Sequence, residues 1–361
     1  LPRINYDANG ENGSLLLEPS RAQLITQSEY FGSSAWIKTS ISVTPNSIAS
    51  PDGYTNAYLF TTNNPAGTVY RAYNNSTGGT NATNTISAFF KYGNHPYAYI
   101  TGDSAGLGNF GIFNIQNGTI ETTSAGYTAT ITPYSNGWYR CTLTGTMDSV
   151  NNIQFGLTGS TTSYAGTSLP DGKTMYCWGA MREYNASYVS SYIPNHSGTG
   201  GVTRAADSCS VTGVSDVIGQ TEGVLYCEFI NKINNDAGDY NMLLTISDST
   251  IDYAYISKRN PTGIEISLGT NANVLIQSGI FNTDGATYKV AAAYKNNDFV
   301  VYVNGVQIWS DTSGTIAFSN ADKLSLGSYY TQTLNFNSGI KQALLFKTRL
   351  TNAELATLTT L

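Results

Sequence analysis

The feature that most constrains this chain is its punctuation. Short segments of alternating apolar and polar residues follow one another, each closed by Asn, Gly, Asp or Pro. In the first half these are "AWIKTSISV", "AYLFTT", "TVYRAY", "TISAFFKYG", "YAYIT", "FGIFNI", "TATITPY", "WYRCTLTG", "NIQFGLTG" and "TMYCWGAM". Alternation is the period of a strand, whose successive side chains face opposite sides of a sheet. Regular short strands with turns between them predict a β-sandwich. The pattern resumes later with "GVLYCEFIN", "MLLTIS", "YAYISK", "GIEISLG", "VLIQSG", "YKVAAAY", "KLSLGSYY" and "IKQALLFKT". Its clearest piece is "DFVVYVNGVQIW", where Asn304-Gly305 is the dipeptide that a type I′ hairpin turn requires, because both central residues take positive φ. Only the last ten or so residues read as helix. There Thr351 and Glu354 form a capping box, and Leu355 and Leu358 give a short apolar face.

The two runs of strands are joined by "VSSYIPNHSGTGGVTRAADS", Val189 to Ser208. Gly198, Gly200 and Gly201, beside Ser197 and Thr199, read as a flexible connector after Pro194. The expected fold class is therefore all-β: two β-sandwich (jelly-roll) domains in tandem, with a short C-terminal helix. The expected boundaries are an extended arm over residues 1–25, a first sandwich over 26–195, a linker over 196–204 and a second sandwich over 205–361. The arm carries turn signals at Ala8-Asn9-Gly10 and Glu11-Asn12-Gly13, then the apolar run Leu15-Leu16-Leu17. The chain opens at Leu1-Pro2-Arg3 with neither Met nor a signal-peptide pattern, which reads as a piece processed or excised from something longer.

Composition narrows the function classes. Charged residues are 12% of the chain, the net charge is −6, and Lys and Arg form no cluster, which argues against nucleic acid and anionic membrane surfaces. No apolar run approaches the roughly 20 residues of a membrane span. With 40% hydrophobic and 12% aromatic residues, the chain has enough to bury and is not a disordered sequence. Cys141, Cys177, Cys209 and Cys227 make no C-x-x-C pair and read as buried thiols rather than as one disulfide per half.

Catalytic constellations are sparse. Both histidines, His95 before Pro96 and His196 in the connector, read as solvated loop residues, so a Ser/His/Asp triad or a histidine metal site lacks its parts. Gly106 to Gly111 spells G-x-G-x-x-G, but a strand-like segment follows where a dinucleotide site needs a helix, and it reads as a glycine-rich bend. The carboxylates Glu265, Asp248 and Asp252 lack the paired arrangement that glycoside hydrolysis needs. Aromatics and amides are abundant instead, with 26 Tyr. A tyrosine offers a sugar a rigid face and a polar tip, at low conformational cost. The glycan-binding candidates are Tyr54, Tyr58, Tyr97, Tyr99, Tyr253, Tyr255, Tyr329 and Trp309, the last just beyond the Asn304-Gly305 turn. Tyr73 shares the polar strand context of the first group.

Three phrases carry a resemblance. "NGWYRCTLTG", the strand "YCWGAMRE", and Ser191-Tyr192-Ile193-Pro194 followed by Val202-Thr203-Arg204-Ala205-Ala206-Asp207 resemble bacteriophage tail, fibre and virion-surface proteins. In these, a jelly roll similar to carbohydrate-binding modules precedes another domain. The second half resembles a concanavalin A/laminin-G-like sandwich, from "GQTEGVLYCEF" through "YKVAAAYKNNDFVVYVNGVQ" to "RLTNAELATL". The resemblance implies structural roles for Trp138, Arg140 and Trp178 in packing, and for Arg204 and Asp207 in anchoring the domain junction. It implies a structural calcium ion, assembled from separated segments, and no cofactor needed for activity. It also implies a place on a virion surface or outside the cell, polysaccharide or cell-surface glycan and other virion proteins as partners, and a homo-oligomer built through sandwich faces or the N-terminal arm.

Three functions fit this sequence. The first is non-catalytic, lectin-like glycan binding, with multivalent display strengthening weak sites. The second is a purely structural virion or capsid-decoration role. The third is a polysaccharide lyase or glycoside hydrolase of sandwich fold, or the binding modules of one. A Tyr/Arg/Gln cluster or a close carboxylate pair is the feature that would favour the third.

Overall fold

The computed structural model describes the whole chain except residues 1–2, 7–12, 78–80, 103–108, 148–149, 233–239, 249, 260–261, 269–273, 317, 319, 330–335 and 337. The turn signals of the arm, apart from Gly13, and residues 106–108 of the Gly106–Gly111 bend lie outside the described residues. The protein is all-β, built from antiparallel sheets with one short C-terminal helix. It divides into two compact units, Arg21–Arg204 and Leu1–Ser20 with Ala205–Leu361. Among the described residues no helix is long and apolar enough to cross a membrane.

The Arg21–Arg204 unit is a sandwich. One sheet has six strands, in the order Thr119–Thr123, Phe110–Asn114, Tyr97–Gly102, Val150–Leu157, Tyr70–Thr77 and Trp36–Thr39. The other runs through Thr128–Pro133, Trp138–Met147, Ala82–Tyr92, Thr174–Tyr184, Arg21–Gln23 and Val202–Arg204, with Ile41–Ala49 and Thr55–Thr62 attached through Thr174–Tyr184. Alternate residues of facing strands fill the space between, among them Trp36, Phe60, Ala72, Phe90, Ile100, Leu143 and Phe155. The strand Thr174–Tyr184 is interrupted by an irregularity between Trp178 and Met181. Gly179 there has φ +64°, and a Cβ on it would lie 3.1 Å from the Phe89 ring, so glycine suits both the backbone and the crowding. Trp138 and Trp178 are buried with Ala57 and Phe89 in a cluster separate from that core. Arg140 is buried too, its Nη1 donating to the Ser190 carbonyl at 2.8 Å.

The connector differs from the slack linker its glycines suggest. Ser28 N–H donates to the Asn195 carbonyl at 2.8 Å, and Gln27 N–H to the Ser197 carbonyl at 3.1 Å. Asn195 Nδ2 reaches the Gly200 carbonyl at 3.1 Å, and Val202–Arg204 pairs with Arg21–Gln23 as a strand. The polar backbone of this stretch finds its partners inside the unit, so the glycines serve turns.

The second unit is also a sandwich. Its seven-stranded sheet runs Arg3–Asn5, Ser14–Leu16, Gly339–Phe346, Glu222–Ile230, Thr287–Lys295, Phe299–Val303 and Val306–Asp311. Its six-stranded sheet runs Cys209–Thr212, Lys323–Leu326, Tyr240–Ser247, Asp252–Arg259, Gly263–Leu268 and Val274–Gln277. Leu225, Phe229, Leu244, Ile256, Ile266, Val290 and Val301 lie in its core. The N-terminal segment is thus a pair of strands on the sheet of this unit, not a separate arm. Leu15 and Leu16 pair with Ile340 and Gly339, and Leu17 is buried in the core. An apolar run of three leucines demands burial, and this sheet edge supplies it.

The hairpin and helix match their sequence signals. Asn304 and Gly305 have φ 48° and 82°. The helix Asn352–Thr359 starts at Thr351 with both capping-box hydrogen bonds formed, and its Leu355 packs with Val224, Tyr226 and Val300 on the seven-stranded sheet. All four cysteines are free; Cys141, Cys177 and Cys227 are buried and Cys209 is half-buried.

Candidate functional site

Register sets the site. On the six-stranded sheet of the Arg21–Arg204 unit, Ile100, Phe155 and Ala72 face the core. Their neighbours along each strand therefore face outward. One outward row crosses the strands as Ile112, Tyr99, Gly156, Arg71 and Thr39. The next crosses as Phe110, Thr101, Gln154, Tyr73 and Ile37. Neither row contains a carboxylate.

Within these rows Arg71 Nη1 donates to Gln154 Oε1 at 2.8 Å, and the Arg71 guanidinium lies 4.8 Å from the centre of the Tyr73 ring. Tyr99 is 0% exposed, and its ring lies over Gly156, where a Cβ would come within 2.7 Å of it. Burial pushes the Tyr99 phenol far above its ordinary pKa, against a smaller pull from the positive charge of Arg71. The loop after Leu157 lays Tyr164 on this face, with ring centres 5.0 Å from Tyr99 and 5.4 Å from Phe110. That loop is held by Thr122 Oγ1 donating to the Thr161 carbonyl at 2.7 Å, and by Gly166 N–H donating to the Thr68 carbonyl at 2.9 Å. The hydroxyls of Tyr99 and Thr101 and the Nε of Arg71 are buried without a hydrogen-bond partner among the described residues.

The second unit has a corresponding outward face. Tyr255 Oη donates to Glu265 Oε1 at 2.7 Å, and Arg259 Nη1 lies 3.2 Å from Glu265 Oε2. Tyr329 meets Tyr255 edge-on, ring centres 5.9 Å apart. Ser325, Thr245, Tyr255 and Ser267 form one row across neighbouring strands. The hydroxyls of Thr245 and Ser325 are buried without a hydrogen-bond partner among the described residues.

The remaining sequence candidates scatter. Tyr54 is 73% exposed, on the turn between the strands Ile41–Ala49 and Thr55–Thr62. Tyr58 is buried, edge-on to Phe31. Tyr97 is half-buried at the Asn114 end of its sheet, close to His95. Tyr253 is buried, donating to Asp248 Oδ2 at 2.8 Å and packed near Phe318. Trp309 is half-buried against the core rather than a surface platform. Arg204 Nη1 donates to the Ser191 carbonyl inside the first unit at 3.2 Å. Asp207 Oδ2 accepts from Glu18 N–H inside the second unit at 2.8 Å. His95 is buried rather than solvated, its Nε2 2.7 Å from the Thr158 carbonyl. His196 is the exposed one, 3.2 Å from Glu29.

Sequence reasoning passed over Arg71, Thr101 and Gln154. Their signal was parity: Arg71 and Tyr73 alternate with Ala72 in "TVYRAY", and Gln154 alternates with Phe155 in "NIQFGLTG". Among the described residues no three His, Cys, Asp or Glu side chains are placed to hold a metal ion.

No protein-family model matches the chain, and no curated protein matches it. Solved structures of sandwich proteins are similar at low identity. The CBM40 of the Ruminococcus gnavus IT-sialidase, bound to α2,3-sialyllactose, is 15% identical with a TM-score of 0.36, over 43% of this chain and 97% of that one. The Streptococcus pneumoniae NanB sialidase is 16% identical with a TM-score of 0.35, over 42% of this chain and 26% of that one, so the match spans about a quarter of the enzyme. Mouse laminin α1 domains LG4-5 are 10% identical with a TM-score of 0.28, over 91% of this chain and 89% of that one. Scores of this size assign neither ligand nor activity to this chain.

Proposed function

We propose that this chain is a non-catalytic glycan-binding protein displayed on a bacteriophage particle, and that its site is the outward face built from Arg71, Tyr73, Tyr99, Thr101 and Gln154. One observation carries it: two adjacent rows of a single sheet bring a tyrosine–arginine stack, an amide and buried hydroxyls together without a carboxylate. Aromatic faces take the C–H side of a sugar, and planar polar groups take its hydroxyls. The particle context rests on the sequence resemblance around Ser191–Pro194 and Val202–Asp207. Display in many copies would strengthen weak single sites.

The test is a glycan array and affinity electrophoresis in polysaccharide gels, using the full chain and its Tyr73→Ala variant. Saturable binding that falls at least tenfold in the variant is expected. Failure across diverse glycans by the folded protein would favour a structural virion role.

A second function is favoured by the same cluster. Tyr99, Arg71 and Gln154 are the residue types of a polysaccharide lyase site. Burial keeps the Tyr99 phenol protonated near neutral pH, which suits it to protonate the leaving glycosidic oxygen, while a separate base would have to take the ring C–H proton. Unsaturated products released from a polysaccharide panel, and lost in Tyr99→Phe, would establish the lyase.

A further inference from the structure

We infer that the Arg71 site takes the anionic group of an acidic sugar, a carboxylate or a sulfate ester. This inference rests on the glycan-binding reading and adds the chemical class of the ligand.

Three observations converge. First, the Arg71 guanidinium faces no carboxylate among the described residues. It makes its hydrogen bond to a neutral amide and rests on a neutral ring. A guanidinium is always charged and only donates, so half-burying it beside neutral groups leaves its charge to be met by something else. Second, the donor positions lie together. Tyr99 and Arg71 flank Gly156 on neighbouring strands, about 10 Å apart at Cα from ordinary strand spacing. Gly156 places no side chain between them, and the Tyr99 ring occupies that gap. Thr101 lies two residues along from Tyr99 on the same face, opposite Gln154. Third, Arg71 Nε, Tyr99 Oη and Thr101 Oγ1 are all buried, and none has a hydrogen-bond partner among the described residues. Buried polar atoms in folded proteins are nearly always satisfied, and exceptions concentrate at sites of function.

An anionic oxygen pair answers all three. A carboxylate presents two oxygens with about four acceptor positions, and arginine binds it in a planar fork. A neutral sugar hydroxyl could accept from one of these donors but would leave the guanidinium charge uncompensated. The overall charge argues for a local contact too. With a net charge of −6 the protein repels polyanions at long range, so acidic-glycan binding must come from a specific site and not from a basic surface.

The experiment is an array of uronic acid, sialic acid and sulfated oligosaccharides, each beside its carboxyl-reduced or desulfated counterpart, at two salt concentrations. The full chain is compared with its Arg71→Gln, Tyr99→Phe and Thr101→Val variants. Acidic members are expected to bind at least tenfold better than their neutral partners. Each variant should erase that preference, weakening binding to the acidic form by a larger factor than binding to the neutral one. Carboxylates alone, or sulfates alone, would identify the anion. Equal binding of acidic and neutral members, unchanged in Arg71→Gln, would overturn the anion site and leave glycan binding standing. No binding to any member would overturn both. Tyr99→Phe removes, and Thr101→Val replaces by a methyl group, a hydroxyl without a hydrogen-bond partner among the described residues, so unchanged or raised melting temperatures would show that lost preference is not lost folding.

Discussion

The two six-stranded sheets present outward faces made from nearly the same parts. Each has tyrosine, arginine and buried hydroxyls without hydrogen-bond partners among the described residues: Tyr99 and Thr101 on one, Thr245 and Ser325 on the other. Orphan hydroxyls therefore do not tell the faces apart. The arginines do. Arg259 has Glu265 at 3.2 Å, and Tyr255 holds the other oxygen of that carboxylate, so the charge is answered within the fold. Among the described residues Arg71 has an amide and a ring and no carboxylate. The lesson is that residue type on a sheet face predicts little; whether each charge finds its counter-ion at home separates a structural cluster from a candidate site.

The sharpest test of this contrast is to break the closed face. The Glu265 side chain is 7% exposed and that of Arg259 28%. Glu265→Ala would leave Arg259 without that carboxylate and strip the Tyr255 hydroxyl of its acceptor. A broken buried pair costs several kcal/mol, and partial exposure of the arginine puts the expected loss at the lower end, about 3 kcal/mol. Arg71→Gln, by comparison, removes one hydrogen bond to a neutral partner and should cost about 1 kcal/mol or less. Urea titrations of both variants would measure the pair. Equal losses would mean that the two arginines are structurally equivalent, and the distinction between the faces would fall.

A smaller effect of opposite sign is expected from the orphan hydroxyls. Replacing a buried, unsatisfied polar group by an apolar isostere returns its desolvation cost, about 1 kcal/mol. Tyr99→Phe and Thr101→Val should each raise the melting temperature by roughly 2–4 °C, for a unit of this size. Thr245→Val should do the same on the other face. Only the first two should also lose glycan preference. Destabilisation by Tyr99→Phe would show that its hydroxyl is satisfied in solution, and the site would lose one of its three donors.

How much of this was legible follows from range. The Asn304-Gly305 hairpin and the Thr351/Glu354 cap are signals within a few residues of the structure they specify, and both are present as read. Leu15-Leu16-Leu17 stood out as an apolar run in what read as an extended arm, but nothing near it in sequence shows that its partner is Gly339–Ile340 toward the other end of the chain. The glycines of the connector looked like slack because nothing nearby in sequence reveals that Gln27 and Ser28 bind its backbone. The candidate site is harder still. Arg71, Tyr99 and Gln154 come from three strands whose order in the sheet differs from their order in the chain. Parity marks each as inward or outward, yet it says nothing of Tyr164 arriving from a loop to cover Tyr99.

The smallest expected effect concerns pH, and it also separates the units, because both histidines belong to Arg21–Arg204. His95 donates from Nε2 to the Thr158 carbonyl, with Tyr97 edge-on to its ring. Burial lowers its pKa below the ordinary 6.5, more than the Thr158 bond raises it, and the positive charge of Lys173 lowers it further. The folded unit therefore holds His95 neutral at a pH where the unfolded chain takes up a proton. Stability from this residue is complete above about pH 6.5 and is lost as pH falls from there toward the lowered folded value. Protection of backbone amides from hydrogen exchange should accordingly weaken in the first unit between pH 7 and about pH 5.5, while the histidine-free second unit changes less. His95→Gln retains a donor for Thr158 without a titrating ring and should flatten the difference. A loss of protection that is equal in both units, or that persists in His95→Gln, would assign the acid sensitivity to carboxylates instead.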